Sequence, residues 1–124
     1  MSDYSEEEQR IFRIHAPRFW QALRDWLGQR CQALNAEKQR NLLEFELSPP
    51  SGAKIRRIDP AATLQVQFDE GTYRIRYSCG AGRGEYLFEL NTDKTLFLRD
   101  PYYRSLTPEQ VGEKMLNLLL GSPF

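Results

Sequence analysis

The stretch from Leu64 to Arg99, LQVQFDEGTYRIRYSCGAGRGEYLFELNTDKTLFLR, decides the fold of this chain. Apolar residues recur at every second position in three of its segments, and mostly polar residues fill the positions between them. This period of two is typical of strands that bury one face of a sheet. The alternating apolar positions are Leu64, Val66 and Phe68, then Tyr73, Ile75, Tyr77 and Cys79, and then Tyr86, Phe88 and Leu90. With Leu96 to Leu98, the stretch predicts four antiparallel strands joined by three tight connections.

The first connection predicts the register of a hairpin. A tight turn at Glu70-Gly71 is the natural way to join the first two strands. This turn pairs Phe68 with Tyr73. Two residues further along, the same register pairs Val66 with Ile75.

Upstream residues predict one or two further strands. Leu43, Phe45 and Leu47 alternate with two glutamates, which indicates a strand with a charged outer face. The segment 54–59 predicts another short strand, but its isoleucines are out of phase for strict alternation. We therefore expect a bulge or an edge position there.

The N-terminal region predicts helix. Ser5 and Glu8 have the spacing of a capping box, so a helix should begin there. Pro17 lacks an amide hydrogen and predicts a kink, or the start of a second and longer helix. Beyond Pro17, apolar residues form a stripe at helical spacing: Trp20, Leu23, Leu27, Cys31 and Leu34.

The C-terminal region predicts a second capped helix. Thr107, Pro108 and Gln110 supply an N-cap, a first-turn proline and a capping-box partner, and Gly121 marks the end. Together these elements predict an α+β fold that forms a single domain over residues 1–124. It is an antiparallel meander of five or six strands, with a kinked N-terminal helix and a C-terminal helix packed on one face.

Composition excludes several function classes. The chain has 17 basic and 17 acidic residues, so no net charge attracts nucleic acid or an anionic membrane. Cys31 and Cys79 are too few for a disulfide framework or a zinc site, and His15 is the only histidine. The N-terminal residues are acidic, and no apolar run approaches the length of a membrane span. We expect a soluble, cytoplasmic, non-enzymatic protein without cofactor or metal.

Surplus apolar surface points to protein contact. Phe19 and Trp26 widen the apolar side of the first helix beyond what one packing surface needs. Tyr102, Tyr103 and Arg104 are of the residue types found at the centres of interfaces. We therefore take these five residues as the candidate interface for a protein partner or a second copy. For the three-residue aromatic segment, local packing is an equally good interpretation.

Arginines on the central hairpins suggest an alternative contact. Arg74 and Arg76 lie on the polar face, and Arg83 lies in the glycine-rich segment 80–84. Such residues bind phosphate groups or single-stranded nucleic acid. However, Glu85 and Glu89 on the neighbouring strand can neutralise the arginines, so a solvated, salt-bridged face is favoured.

These observations predict a non-catalytic interaction module that forms a homodimer or binds another protein. One alternative is a small-ligand pocket between sheet and helices, lined by aromatic residues. The residues named for that pocket are Trp20, Tyr73, Tyr77 and Tyr86. A weak single-stranded nucleic-acid binder is the other alternative.

Overall fold

The chain begins and ends with a helix, and the strands of an antiparallel sheet come between them in sequence. The computed structural model describes residues 4–49, 51–80, 82–102 and 104–121. The first helix is α1 (Glu6–Lys38). The strands are β1 (Leu43–Ser48), β2 (Gly52–Arg57), β3 (Ala62–Asp69), β4 (Arg74–Cys79), β5 (Gly82–Leu90), β6 (Leu96–Arg99) and β7 (Ser105–Leu106). The second helix is α2 (Pro108–Leu120).

The sheet is a meander, as the alternation predicted. Each described strand pairs with its neighbour in the chain, so the order across the sheet is β1 to β7. The prediction of five or six strands missed only β7, a two-residue strand that follows the loop after β6. Both helices pack on one face, and the face without helices is called the outer face below.

The core lies between the helices and the inward side chains of the strands. Leu64, Val66 and Phe68 of β3 are buried, together with Ile75 of β4 and Phe88 of β5. Alternate positions on β3 are exposed. This pattern is the physical result of the period-two sequence, because successive side chains of a strand point to opposite faces.

The first helix is continuous, so the predicted restart at Pro17 was wrong. Ser5 forms the predicted capping box with Glu8, and helix continues from Glu6 to Lys38 with Pro17 inside it. A proline removes one backbone donor from the helix. Buried residues on both sides of it, Phe12, Ala16 and Trp20, keep the same stripe of α1 against the core.

The first hairpin has a different register from the one predicted. Phe68 pairs with Ile75, and Val66 pairs with Tyr77, a shift of two residues. The turn is longer because the Asp69 carboxylate accepts hydrogen bonds from the backbone N–H groups of the next turn residues. Tyr73 completes the turn at φ 53°. A shift of two preserves the face of every side chain, which is why the fold prediction survived it.

The bulge or edge position predicted for the segment 54–59 was wrong. The strand there is β2, which lies inside the sheet because it pairs without interruption with both β1 and β3. The second helix has the predicted capping box between Thr107 and Gln110. Arg57 of β2 donates hydrogen bonds to the carbonyl oxygens of Leu119 and Leu120, which joins the sheet to the last turn of α2.

Candidate functional site

Asn35, near the end of α1, hydrogen-bonds to the backbone at the start of β1. Its Oδ1 accepts from the N–H groups of Leu42 and Leu43 at 2.9 and 3.0 Å, and its Nδ2 donates to the carbonyl oxygen of Leu43 at 2.9 Å. The side-chain amide thus presents one donor and one acceptor to Leu43, as a neighbouring strand would. The backbone N–H and C=O groups of Leu43 must therefore both face away from β2.

That orientation fixes the direction of the other backbone groups of β1. In an antiparallel pair, residues alternate between those bonded to the partner strand and those pointing away from it. The backbone groups of Leu43 point away from β2, so those of Phe45 and Leu47 point away as well. The backbone groups of Glu44 and Glu46 are bonded to β2. The N–H and C=O groups of Phe45 and Leu47 are called the open edge. Within the described ranges, β1 pairs only with β2, and no other hydrogen bond reaches these four groups.

A groove runs beside the open edge, between α1 and β1. The side chain of Leu47 is 57 % exposed. Gly28 of α1 allows the Phe45 ring to approach closely, since a Cβ atom there would lie 3.3 Å from Phe45 Cε1. The space measures about 490 Å³ and is called the edge groove. It is lined by Arg24, Asp25, Gly28, Gln29, Cys31, Gln32, Asn35, Leu43, Phe45 and Leu47.

Two carboxylates lie on the opposite side of β1. Glu44 and Glu46 point to the outer face, with side chains 50 % and 68 % exposed. Each has a basic neighbour on β2: Arg56 hydrogen-bonds to Glu44, and Lys54 Nζ lies 4.0 Å from Glu46 Oε1. The open edge therefore has an apolar side towards α1 and, towards solvent, a side with two exposed glutamates that each already have one basic neighbour.

The aromatic residues predicted as interface anchors on α1 pack within the chain. The Phe19 ring meets Phe88 of β5 edge-on, with centroids 5.3 Å apart. The Trp26 ring covers Gly112 of α2, where a Cβ atom would lie 2.4 Å from two ring carbons. The wide apolar arc of α1 thus serves the sheet and α2. A role for these two residues in binding another chain stays a prediction.

The exposed loop after β6 is organised by a buried carboxylate. Asp100 accepts hydrogen bonds from the backbone N–H groups of Tyr102 and Arg104, both at 2.9 Å, and from Arg104 Nε at 2.7 Å. The Arg104 guanidinium lies 5.5 Å from the centroid of the Tyr102 ring, which is 79 % exposed. Tyr103 lies outside the described residues.

The arginines predicted to contact anions are partly neutralised. Arg74 forms an ion pair with Glu85 at 2.8 Å, and Arg76 lies 3.5 Å from the same glutamate and 3.6 Å from Asp69. Arg83 is exposed on the outer face and lines a shallow depression of about 370 Å³ with Arg76. Glu85 forms the ion pairs that the sequence favoured, whereas Glu89 bonds to Arg99 of β6. Binding of nucleic acid there stays a prediction.

The residues named for a ligand pocket contact other aromatic rings. Tyr77 stacks on Tyr86 at 5.5 Å, and Trp20 stacks on Phe68 at 6.3 Å. Tyr73 lies 5.0 Å from Phe12. Burial raises the pKa of Tyr86, and the neighbouring Tyr77 raises it further. Small-ligand binding is an untested alternative.

The two cysteines and the histidine lie on different elements or far apart along one helix. Cys31 is buried in α1, and burial raises the pKa of its thiol to about 11, so it is protonated near neutral pH. Burial also raises the pKa of Cys79 in β4. His15 is exposed on α1. In the part of the chain that the structure describes, no group of three or more His, Cys, Asp or Glu residues is arranged to hold a metal ion.

The comparisons with known proteins give no functional lead. No family model, curated protein or solved structure matches this chain. Among the described residues, neither helix has the length and apolarity needed to cross a membrane.

The sequence predicted the strand β1, but not its position at the end of the sheet. The alternation from Leu43 to Leu47 predicted a strand, but nothing local states that this strand lies at the end of the sheet. The sequence carried no local signal that singled out Asn35. A signal was present in the charged outer face of β1, because charged side chains are frequent on edge strands.

Proposed function

We propose that this protein is a non-catalytic interaction module that accepts an extended segment of a protein partner as an additional strand on β1. The observation that carries the proposal is the open edge, where two residues direct N–H and C=O groups away from β2 and find no partner among the described residues. Such an edge is a template for strand pairing. An extended peptide that adds to it gains main-chain hydrogen bonds and places every second side chain against the adjoining surface.

The edge groove supports this direction of binding. In an added strand, the residues opposite Phe45 and Leu47 would point towards α1, on the same face as those two side chains. There they would cover the exposed part of Leu47 and the half-buried ring of Phe45. Affinity would come from the backbone, and selectivity would come from the groove. A second copy of the chain is the other occupant that this edge admits.

The test uses a proline at the open edge. Proline is tolerated on an edge strand at positions where the N–H of the residue that it replaces faces away from the neighbouring strand. Leu47→Pro therefore removes one open donor while leaving the ladder between β1 and β2 intact. Leu47→Thr is the matched control, since it shortens the same side chain and keeps the donor. Circular dichroism verifies that both variants are folded.

Peptides selected by display from a random library provide the probe. We expect them to bind the wild-type chain and Leu47→Thr with similar Kd, and Leu47→Pro at least about tenfold more weakly. In the wild-type complex, the amides of Phe45 and Leu47 should become protected from hydrogen exchange. A selection without binders, or binders that neither protect these amides nor distinguish proline from threonine, would refute strand addition at β1.

A further inference from the structure

The chemistry of the occupant can be read from the two sides of β1, and this inference rests on the proposed function. Glu44 and Glu46 flank Phe45 on the outer face, and their side chains are at least half exposed. Directly opposite residues of paired strands have Cβ atoms about 5 Å apart, within reach of charged side chains. The outward-facing side chains of an added strand that lie opposite Glu44 and Glu46 would therefore each lie beside a carboxylate.

We infer that the occupant of the β1 edge is an extended segment of another protein in which apolar residues alternate with lysine or arginine. The apolar residues lie opposite Phe45 and Leu47 and enter the edge groove. The basic residues lie opposite Glu44 and Glu46 on the outer face. Arg56 and Lys54 already approach these glutamates from β2, so each carboxylate receives a second cation from the other side.

A second copy of β1 fits this edge poorly. A register that aligns Phe45 with Phe45 of the second copy sets Glu46 opposite Glu44. A register that aligns Phe45 with Leu47 sets Glu46 opposite Glu46. Like charges directly opposite each other destabilise a strand pair. A further slide brings Pro49, which has no N–H to donate, opposite Phe45.

Asn35 limits the length of the occupant. Its amide already fills the outward donor and acceptor of Leu43, so pairing with an added strand ends at Glu44. At the other end, Pro49 interrupts the row of donors. The segment therefore pairs over Glu44–Ser48, which leaves out only Leu43 of the six residues of β1.

The experiment compares three acetylated and amidated eight-residue peptides, in which valine alternates with lysine, threonine or glutamate. We expect the lysine peptide to bind the wild-type chain about three- to tenfold more tightly than the threonine peptide, and the glutamate peptide to bind most weakly. The double variant Glu44→Gln and Glu46→Gln should bind the lysine and threonine peptides equally. Salt at about 0.5 M should reduce the lysine peptide's advantage in the wild-type chain.

The controls separate this inference from the proposed function. A lysine peptide methylated on the valine nitrogens keeps its charge but cannot pair, and it should not protect the amides of Phe45 and Leu47. Equal binding of the three unmethylated peptides, with protection of those amides, would overturn the basic pattern and leave strand addition standing. Failure of every peptide to protect them would overturn both. A stable dimer in sedimentation that Leu47→Pro dissociates would assign the edge to a second copy and overturn the inference.

Discussion

The two ends of the sheet differ in how much backbone they leave open. At one end, β1 has six residues, and within the part of the chain that the structure describes, its outward N–H and C=O groups are satisfied only at Leu43, through Asn35. At the other end, β7 has two residues and leads through Thr107 directly into α2. A short edge strand offers little to a passing chain, whereas a longer one offers a row of donors and acceptors.

The comparison shows that the fold keeps the edge strand short at one end and leaves a longer edge strand at the other. At the β7 end, the carboxylate of Asp100 ties the loop back to the sheet. At the β1 end, the side-chain amide of Asn35 occupies one residue, and two glutamates line the remainder. Charged side chains on an edge strand discourage indiscriminate pairing. They also favour a partner of opposite charge, which makes the open end the better candidate for function.

The largest expected effect on thermal stability comes from a substitution at the β7 end of the sheet. Asp100 is buried and accepts three hydrogen bonds from Tyr102 and Arg104. Asp100→Ala leaves those donors unpaired and frees the loop that returns the chain to β7. We expect Tm, measured by circular dichroism, to fall by roughly 5–10 °C.

Asp93→Ala is the matched control, because Asp93 accepts a hydrogen bond from the Thr95 N–H in an exposed turn. Its Tm should fall by about 2 °C or less. Equal losses of Tm for the two variants would show that the Asp100 hydrogen bonds do not stabilise the loop at the β7 end.

The same carboxylate should make this end sensitive to acid. Burial raises the pKa of Asp100, but hydrogen bonds from Arg104 and Tyr102 together outweigh it, so the pKa lies below its ordinary value. A lowered pKa means that the stabilisation is present above about pH 4 and is lost as the pH falls through the folded-state pKa. The Tm difference between wild type and Asp100→Ala should therefore shrink below about pH 4.

Local sequence signals predicted the elements of this fold, but not the contacts that define its ends. The capping boxes at Ser5 and Thr107 and the alternation in β3 act over a few residues, so they could be read directly. Trp26 shows the limit of such signals. Its apolar surface was evident, but whether α2 or a second copy covers it depends on a contact with Gly112, more than eighty residues away.

The site was harder to predict because it consists of unpaired backbone. No side-chain motif marks an open edge, and the strand order across the sheet decides which strand is terminal. The roles of Asn35 and Asp100 also arise from side chains that bond to backbone across a turn. Asparagine and aspartate are common in loops for other reasons, so their presence alone did not indicate these contacts.

An intermediate effect is expected from extending the open end. Asn35→Ala removes the amide that bonds to Leu43 and leaves its backbone groups to solvent. We expect a loss of about 1–3 kcal/mol in the free energy of unfolding. Hydrogen exchange at the Leu43 amide should accelerate as well. Gln32→Ala, an exposed position on the rim of the edge groove, should change neither quantity. Unchanged exchange at Leu43 would mean that Asn35 does not terminate the edge.

The smallest effect is expected from Leu47→Thr, which is compared with the same substitution at the other end of the sheet. Leu47 on β1 is 57 % exposed and Leu106 on β7 is 8 % exposed. Leu47→Thr should change the free energy of unfolding by no more than about 0.5 kcal/mol, because it removes little buried surface and keeps a residue suited to strands. Leu106→Thr removes buried apolar volume and places a hydroxyl in the core, so it should cost about 2–3 kcal/mol by urea denaturation. If Leu47→Thr costs as much as Leu106→Thr, then Leu47 is covered in solution, and the β1 edge is already occupied before any partner is added.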